Sequence, residues 1–212
     1  MKKIGLLGVN PICQIANQMI KEIYKDYEVF LFDDDPEKLY KKYMGYPVIG
    51  SINDVINKYK NGTIDSILIC IGERSMVKRK VFFEKFKKQN ISFPIIKHHS
   101  TILSDICEVN EGCILSPGVI IGHNTIINSN CFIAEGSTIA HDCMIGSHCY
   151  TGANIAMSGY VNVGECTMIG TGAVILPEIK IGYNCVIGAG AVVTQDVPDN
   201  KKVVGNPARI IS

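Results

Sequence analysis

The sequence predicts a small α/β domain followed by a long parallel β-helix. Three observations predict it. Between Leu103 and Val193 one residue in every six is aliphatic, on a grid that never slips, and fourteen of its sixteen positions are Leu, Ile or Val. The position four residues later is small, as at Cys107, Cys113, Thr125, Cys131, Ser137 and Ala173. Before residue 98, apolar strand-like runs alternate with helical ones. A period of six fits neither a helix at 3.6 nor a strand at 2, and marks a hexapeptide solenoid.

The elements follow in order. Lys2 to Gly8 reads as a buried strand, Val9-Asn10-Pro11 as a turn, and Ile12 to Tyr24 as a helix. Glu28 to Phe32 is a second strand, ending in Asp33-Asp34-Asp35-Pro36, with helical signals from Pro36 to Tyr43. Tyr46 to Gly50 is extended, Ile52 to Tyr59 a short helix, and Ser66 to Ile71 an apolar strand ending at Gly72. A helix from Arg74 to Gln89 buries Phe82, Phe83 and Phe86, its lysines forming a solvated face. This order implies a small parallel sheet, with ligands at the carboxyl ends of its strands. Gly8 with Asn10, Asp33 with Asp34, and Gly72 mark those ends. The acidic run could hydrogen-bond a ribose or base, or simply cap a turn. No G-x-G-x-x-G is present, so a dinucleotide fingerprint is excluded.

From residue 98 the hexads take over. Three of them close a triangular coil, and sixteen make about five coils stacked at roughly 4.8 Å, a prism about 25 Å long. The aliphatic residue fills the interior, and the Gly that often follows it is expected at positive φ in a tight corner. Residues eighteen apart sit one above the other, as His123 and His141 do. The tail from Asp199 to Arg209 leaves the grid and is expected to lie along the outside of the last coils. The expected domains are therefore 1–97 and 98–212.

Composition narrows the partners. A net charge of +1 argues against nucleic acid or an anionic membrane. No signal segment opens the chain and no run of 18 apolar residues occurs, so a cytoplasmic protein is expected. Six of the nine cysteines occupy the small inward slot, where free Cys behaves as a compact hydrophobe, and no CxxC occurs. His141 and His148 are seven apart, not the five that the zinc site of gamma-type carbonic anhydrases uses; no metal is expected.

The residue best suited to chemistry is His141, followed by Asp142 at a corner. Imidazole can act as a base near neutral pH, and an adjacent carboxylate can fix its tautomer. The alternative is a surface His beside a surface Asp. His98, His99, His123 and His148 are read as bystanders.

At this point a resemblance enters. Phe32-Asp33-Asp34-Asp35-Pro36, Gly45-Tyr46-Pro47-Val48-Ile49-Gly50, Ile69-Cys70-Ile71-Gly72, His141-Asp142-Cys143-Met144-Ile145-Gly146, Ile187-Gly188-Ala189-Gly190-Ala191-Val192-Val193 and Gly205-Asn206-Pro207-Ala208-Arg209 together resemble the bacterial sugar acetyltransferases of sialic-acid and bacillosamine pathways. The resemblance spans the chain. It implies a Rossmann-like nucleotide-sugar domain before a left-handed β-helix, and a homotrimer with acetyl-CoA between adjacent prisms. It implies that His141 is the base with Asp142 supporting it, and that the N–H near Gly159 holds the oxyanion. Thr171 and Ala189 would line the pantetheine groove, and Tyr150 stands where some members place a second His near the acetyl group. Asn10, Pro11, Ile12, Asp33, Asp34 and Gly72 would face the nucleotide. The family's Gly-rich first turn is replaced by Val9-Asn10-Pro11-Ile12-Cys13-Gln14. The implied reaction is N-acetylation of a nucleotide-linked 4-amino-4,6-dideoxy sugar. The alternatives are O-acetylation of a sialic-acid-like sugar and a trimeric scaffold without catalysis.

Overall fold

The computed structural model describes residues 1–72 and 76–212, so the expected helix start at Arg74 lies outside the described residues. The chain divides into two compact units, Met1–Ile96 and Lys97–Ser212.

In the first unit the elements are β1 (Lys2–Leu7), α1 (Pro11–Ile23), β2 (Tyr27–Phe32), β3 (Lys42–Tyr43), β4 (Tyr46–Gly50), α2 (Val55–Lys60), β5 (Ser66–Ile69) and α3 (Met76–Lys87). The sheet order is β3-β4-β2-β1-β5. β1 lies between β2 and β5 with parallel register, Ile4 opposite both Val29 and Ser66. The last four residues of β1 and all of β5 are buried because both faces of this sheet are covered there. α1 starts where it does because Pro11 fits the first helical turn and Asn10 caps it.

Two expectations are corrected here. Pro36 to Tyr43 is not helical: a series of turns leads to Tyr40 at φ +60° and then to β3. The Lys38 side chain folds back onto Asp33 at 3.2 Å, pinning these turns against the sheet. The sheet is also not wholly parallel. β3 and β4 form an antiparallel hairpin whose two-residue turn, Met44-Gly45, has φ of +53° and +86°. Two positive φ values give the turn whose twist matches paired strands.

The second unit is the prism. Its first wall stacks Ile102–Leu103, Ile120–Ile121, Thr138–Ile139, Ala156–Met157, Val174–Ile175 and Val192–Val193. The second stacks Glu108–Val109, Ile126–Ile127, Met144–Ile145, Asn162–Val163 and Lys180–Ile181. The third includes Ile114–Leu115, Phe132–Ile133, Tyr150–Thr151, Met168–Ile169 and Val186–Ile187. Within the six-residue grid each wall pairs its strands in parallel at steps of eighteen residues, as Ile139 with Met157 and Ile145 with Val163. The grid residues form one continuous core; Leu103 and Val109, in the first coil, are only partly buried. The small slot has a second reason to hold Cys, Thr or Ser. Its Sγ–H or Oγ–H donates to the carbonyl fifteen residues later: Cys131 to Gly146 (3.2 Å), Cys143 to Ser158 (3.1 Å), Thr167 to Gly182 (2.8 Å). Burial pushes the Cys149 thiol well above its usual range, so it stays a neutral donor.

The expected role of the glycines after the grid residue is corrected. Gly122, Gly146, Gly164 and Gly170 do not have positive φ. They are glycine because the next coil is too close: an added Cβ would lie 2.6 Å from the Ala140 carbonyl carbon at Gly122 and 2.5 Å from Ala189 N at Gly170. Left-handed backbone falls instead on the second corner residue, at Asn124, Asp142, Asn154 and Tyr160 among others. The tail is also corrected in part. Lys202–Val204 pairs in parallel with Val186–Ile187 as one more rung, and Arg209–Ile210 adds to it antiparallel. That rung comes sixteen residues on, Val186 opposite Lys202, which is why the grid cannot show it. Val203 closes the end of the core.

Candidate active site

The corner between the first and second walls carries His123, His141 and Gly159 in one column, with Asn124, Asp142 and Tyr160 in the next. His141 Nδ1 lies 2.8 Å from Asp142 Oδ2. A carboxylate has no proton to give, so Nδ1 carries the hydrogen and Nε2 is left as the basic atom. The Asn124 amide and the His141 ring both bond the Asp142 carboxylate and hold its pKa below the usual range. The ring is half-exposed. Its Cε1–Nε2 edge lies against Gly159, where an added Cβ would meet Cε1 at 2.6 Å and Nε2 at 2.8 Å. Gly159 is thus the residue that leaves room for the imidazole. Its carbonyl accepts from Glu178 N at 3.0 Å, while among the described residues its own N–H has no acceptor. Tyr160 stands edge-on to the imidazole, ring centres 5.2 Å apart. An imidazole nitrogen and an uncommitted backbone N–H thus belong to neighbouring residues of one corner, the two kinds of group that acyl transfer uses.

The remaining residues of the expected acetyl-CoA groove are elsewhere in the chain. Thr171 and Ala189 stack at the corner between the third and first walls, where Gly152 and Gly170 are kept bare against them. Tyr150 lies on the third wall, opposite the His141 corner, with its ring stacked on Phe132 at 5.3 Å. One chain does not bring these three to His141. A cleft of about 540 Å³ opens on the second wall, beside Asn162, Gly164, Lys180, Gly182 and Tyr183. Sequence reasoning missed it, though the bare pair Gly164 and Gly182 is its signal. Among the described residues no three His, Cys, Asp or Glu side chains converge to hold a metal ion.

In the first unit a cleft of about 370 Å³ opens at the carboxyl ends of the strands. Gly8, Asp33 and Asp34 line it together with Ile52, Val81 and Phe82. Asp33 is buried and fully engaged: Oδ2 accepts from Val9 N (2.7 Å) and Lys38 Nζ (3.2 Å), Oδ1 from Asp35 N (2.9 Å). Asp34 Oδ1 accepts from Ile52 N at 2.8 Å. Both carboxylates shape the cleft rim through backbone contacts, which is the turn-capping alternative. Asn10 Oδ1 accepts from Ile12 N (2.9 Å) and Cys13 N (3.3 Å), and its Nδ2 donates to Cys70 O (2.5 Å). With Pro11 lacking an N–H, these bonds occupy the α1 N-terminus that could otherwise hold a phosphate. The Ile12 side chain is buried in the core and Pro11 is exposed. Gly72 has open space around it. Phe82 is only half-buried, because it lines the cleft rather than joining Phe83 and Phe86 fully in the core.

Comparisons with known proteins agree with this architecture. A family profile described as "Bacterial transferase hexapeptide (six repeats)" matches residues 160–195. No curated relative matches at the sequence level. Among solved structures, a variant of perosamine N-acetyltransferase from Caulobacter crescentus, in complex with CoA and GDP-perosamine, is 26% identical, with 100% of this chain and 98% of that one covered, TM-score 0.92. WeeI from Acinetobacter baumannii is 26% identical, each chain covered in full, TM-score 0.76. The acetyltransferase domain of PglB from Neisseria gonorrhoeae, in complex with acetyl coenzyme A, shares the fold at 22% identity, 99% of each chain covered, TM-score 0.90. Residues 160–195 thus carry the transferase hexapeptide repeat, and the left-handed β-helix with an α/β unit before it is the architecture of the solved bacterial sugar acetyltransferases this chain resembles.

Proposed function

We propose that this chain transfers an acetyl group from acetyl-CoA to the amine of a nucleotide-linked amino sugar, with the 4-amino group of a 4,6-dideoxy sugar as the acceptor. The observation that carries the reading is the dyad: His141 Nδ1 held by Asp142 at 2.8 Å, with Nε2 beside Gly159. It is supported by the likeness to a perosamine N-acetyltransferase solved with CoA and GDP-perosamine over nearly the whole of both chains. In this mechanism Nε2 takes the proton as the sugar nitrogen attacks the thioester carbonyl. The Gly159 N–H stabilises the oxyanion, and coenzyme A leaves as its thiol.

Residues 1–97 would bind the nucleotide sugar and residues 98–212 the acetyl-CoA. Charge supports the first half of that division; coenzyme A is itself an anion, so the second half rests on the likeness to structures solved with CoA. Met1–Ile96 has sixteen Lys and Arg against eleven Asp and Glu, a net +5, and Lys97–Ser212 has five against nine, a net −4. A cationic unit suits an anionic acceptor. We propose further that the working form is a homotrimer. Thr171, Ala189 and Tyr150 cannot serve the same chain's His141, and a neighbouring prism would present them to it. Both substrates belong to the cytoplasm, and no helix among the described residues is long and apolar enough to cross a membrane.

The test is acetyl transfer read by mass spectrometry, offering acetyl-CoA with UDP-, GDP- and dTDP-linked 4-amino sugars and with free and CMP-linked sialic acids. One acetylated nucleotide sugar is the expected product; transfer to sialic acid alone would overturn the acceptor. His141→Ala should remain folded and lose at least about a hundredfold in rate. Near-normal turnover by that variant would remove His141 as the base.

A further inference from the structure

Asp142 has two carboxylate oxygens, and the structure gives each a different partner. Oδ2 lies 2.8 Å from His141 Nδ1, and Oδ1 accepts from Asn124 Nδ2 at 2.7 Å. Asn124 comes eighteen residues before Asp142 and so sits one coil below it at the same corner. Both residues have left-handed backbone, φ +54° and +55°, which Asn and Asp tolerate better than most side chains. Their spacing is set by the backbone. Asp142 N donates to His123 O at 2.8 Å, and the flanking strands pair Ile121 with Ile139 and Ile126 with Met144.

A corner carboxylate without a second partner is free to swing about its terminal torsion, which is broad and roughly two-fold. With Oδ1 tied, the carboxylate plane is fixed and Oδ2 stays on the imidazole. We propose that Asn124 is a positioning residue for acyl transfer: it clamps Asp142 Oδ1 so that Oδ2 holds His141 in the Nδ1–H tautomer, with Nε2 turned to the Gly159 edge. This rests on the reading of His141 as the base. The depressed pKa of Asp142, to which the Asn124 amide is the largest contributor, agrees with it. The titratable groups facing this carboxylate are the His141 imidazole beside it and His123 on the coil below, itself 3.0 Å from Ser104 Oγ. On the coil above, the Tyr160 ring meets His141.

Two variants test it. Asn124→Asp keeps the size and the left-handed backbone but replaces the donor with a second carboxylate. That charge, facing Asp142, favours retention of a proton on the His141–Asp142 pair. We expect kcat to fall about tenfold, the acid limb of its pH profile to move to higher pH, and KM for acetyl-CoA to be unchanged. Asn124→Ala removes the donor without adding charge and should lower kcat with a smaller movement of the limb. Nitrogen-15 NMR of the imidazole should show His141 as the Nδ1–H tautomer in the native chain and a mixture in Asn124→Ala. The native pH profile and kcat in both variants, or an unmixed tautomer in Asn124→Ala, would overturn the clamp. The tautomer measurement needs no turnover. An inactive native chain whose tautomer still depends on Asn124 would keep the clamp and reject the reaction.

Discussion

At the residue scale, the dyad depends on an absence as much as on a side chain. Gly159 lies one coil above His141, and the imidazole fills the space where a Cβ would be. Gly159→Ala should therefore push the ring off its present line while leaving the prism intact, because the obstacle is a half-exposed side chain rather than backbone. A misplacement on the order of 1 Å can cost about a hundredfold in rate. Steady-state turnover beside circular dichroism checks this; a folded variant with native turnover would show that the ring can work from another position. The pairing of His141 with Asp142 is legible in the sequence because the two are neighbours in the chain at a corner of the repeat. Asn124 is not, since nothing local distinguishes it from any corner Asn. Only the eighteen-residue offset from Asp142 marks it. Asn10 shows the reverse case: its position at a strand end suggests ligand contact, yet its side chain caps α1 and ties Cys70.

At the element scale, the coil is held by close stacking of backbone on backbone. A Cβ at Gly164 would lie 2.5 Å from the Gly182 carbonyl carbon and 2.6 Å from Tyr183 N. Neither can move aside as a side chain would. Gly164→Ala should lower stability by about 3 kcal/mol, at the upper end of the cost of overpacking a core, read from a urea or thermal melt. No measurable loss would mean that the coils have slack at that wall. The hexad grid reveals the strands because burial repeats with the coil. It does not reveal which glycines need positive φ and which need closeness, since both requirements select the same residue. The stretch from Pro36 to Tyr43 misleads for a related reason. Its local pattern permits a helix, and the reach of Lys38 Nζ to Val9 O at 3.1 Å favours turns instead.

At the scale of the whole molecule, the two units carry opposite net charge, and the residues proposed for the acetyl-CoA groove are spread over separate parts of the prism. His141 belongs to the corner between the first and second walls, Thr171 and Ala189 to the one between the third and first. A site that uses all of them needs more than one copy. Light scattering should give a solution mass of three chains. A stable monomer that retained acetyl transfer would remove the composite groove while leaving the dyad in place.

The sequence by itself determines the prism, its core and its period, because a six-residue repeat has no other way to bury its aliphatic positions. It also determines the α/β order before the prism, the stretch from Pro36 to Tyr43 excepted, and the pairing of His141 with Asp142, which are neighbours in the chain. Only the tertiary structure decides what lies across a coil: Gly159 against the imidazole, Asn124 beneath Asp142, and the extra rung at Lys202–Val204. It also decides that Asp33 and Asp34 are held by backbone N–H groups of Val9 and Ile52. The physical reason is separation. Local spacing fixes what is buried, while contacts between residues sixteen or more apart depend on the register that only the stacked coils and the assembled sheet impose.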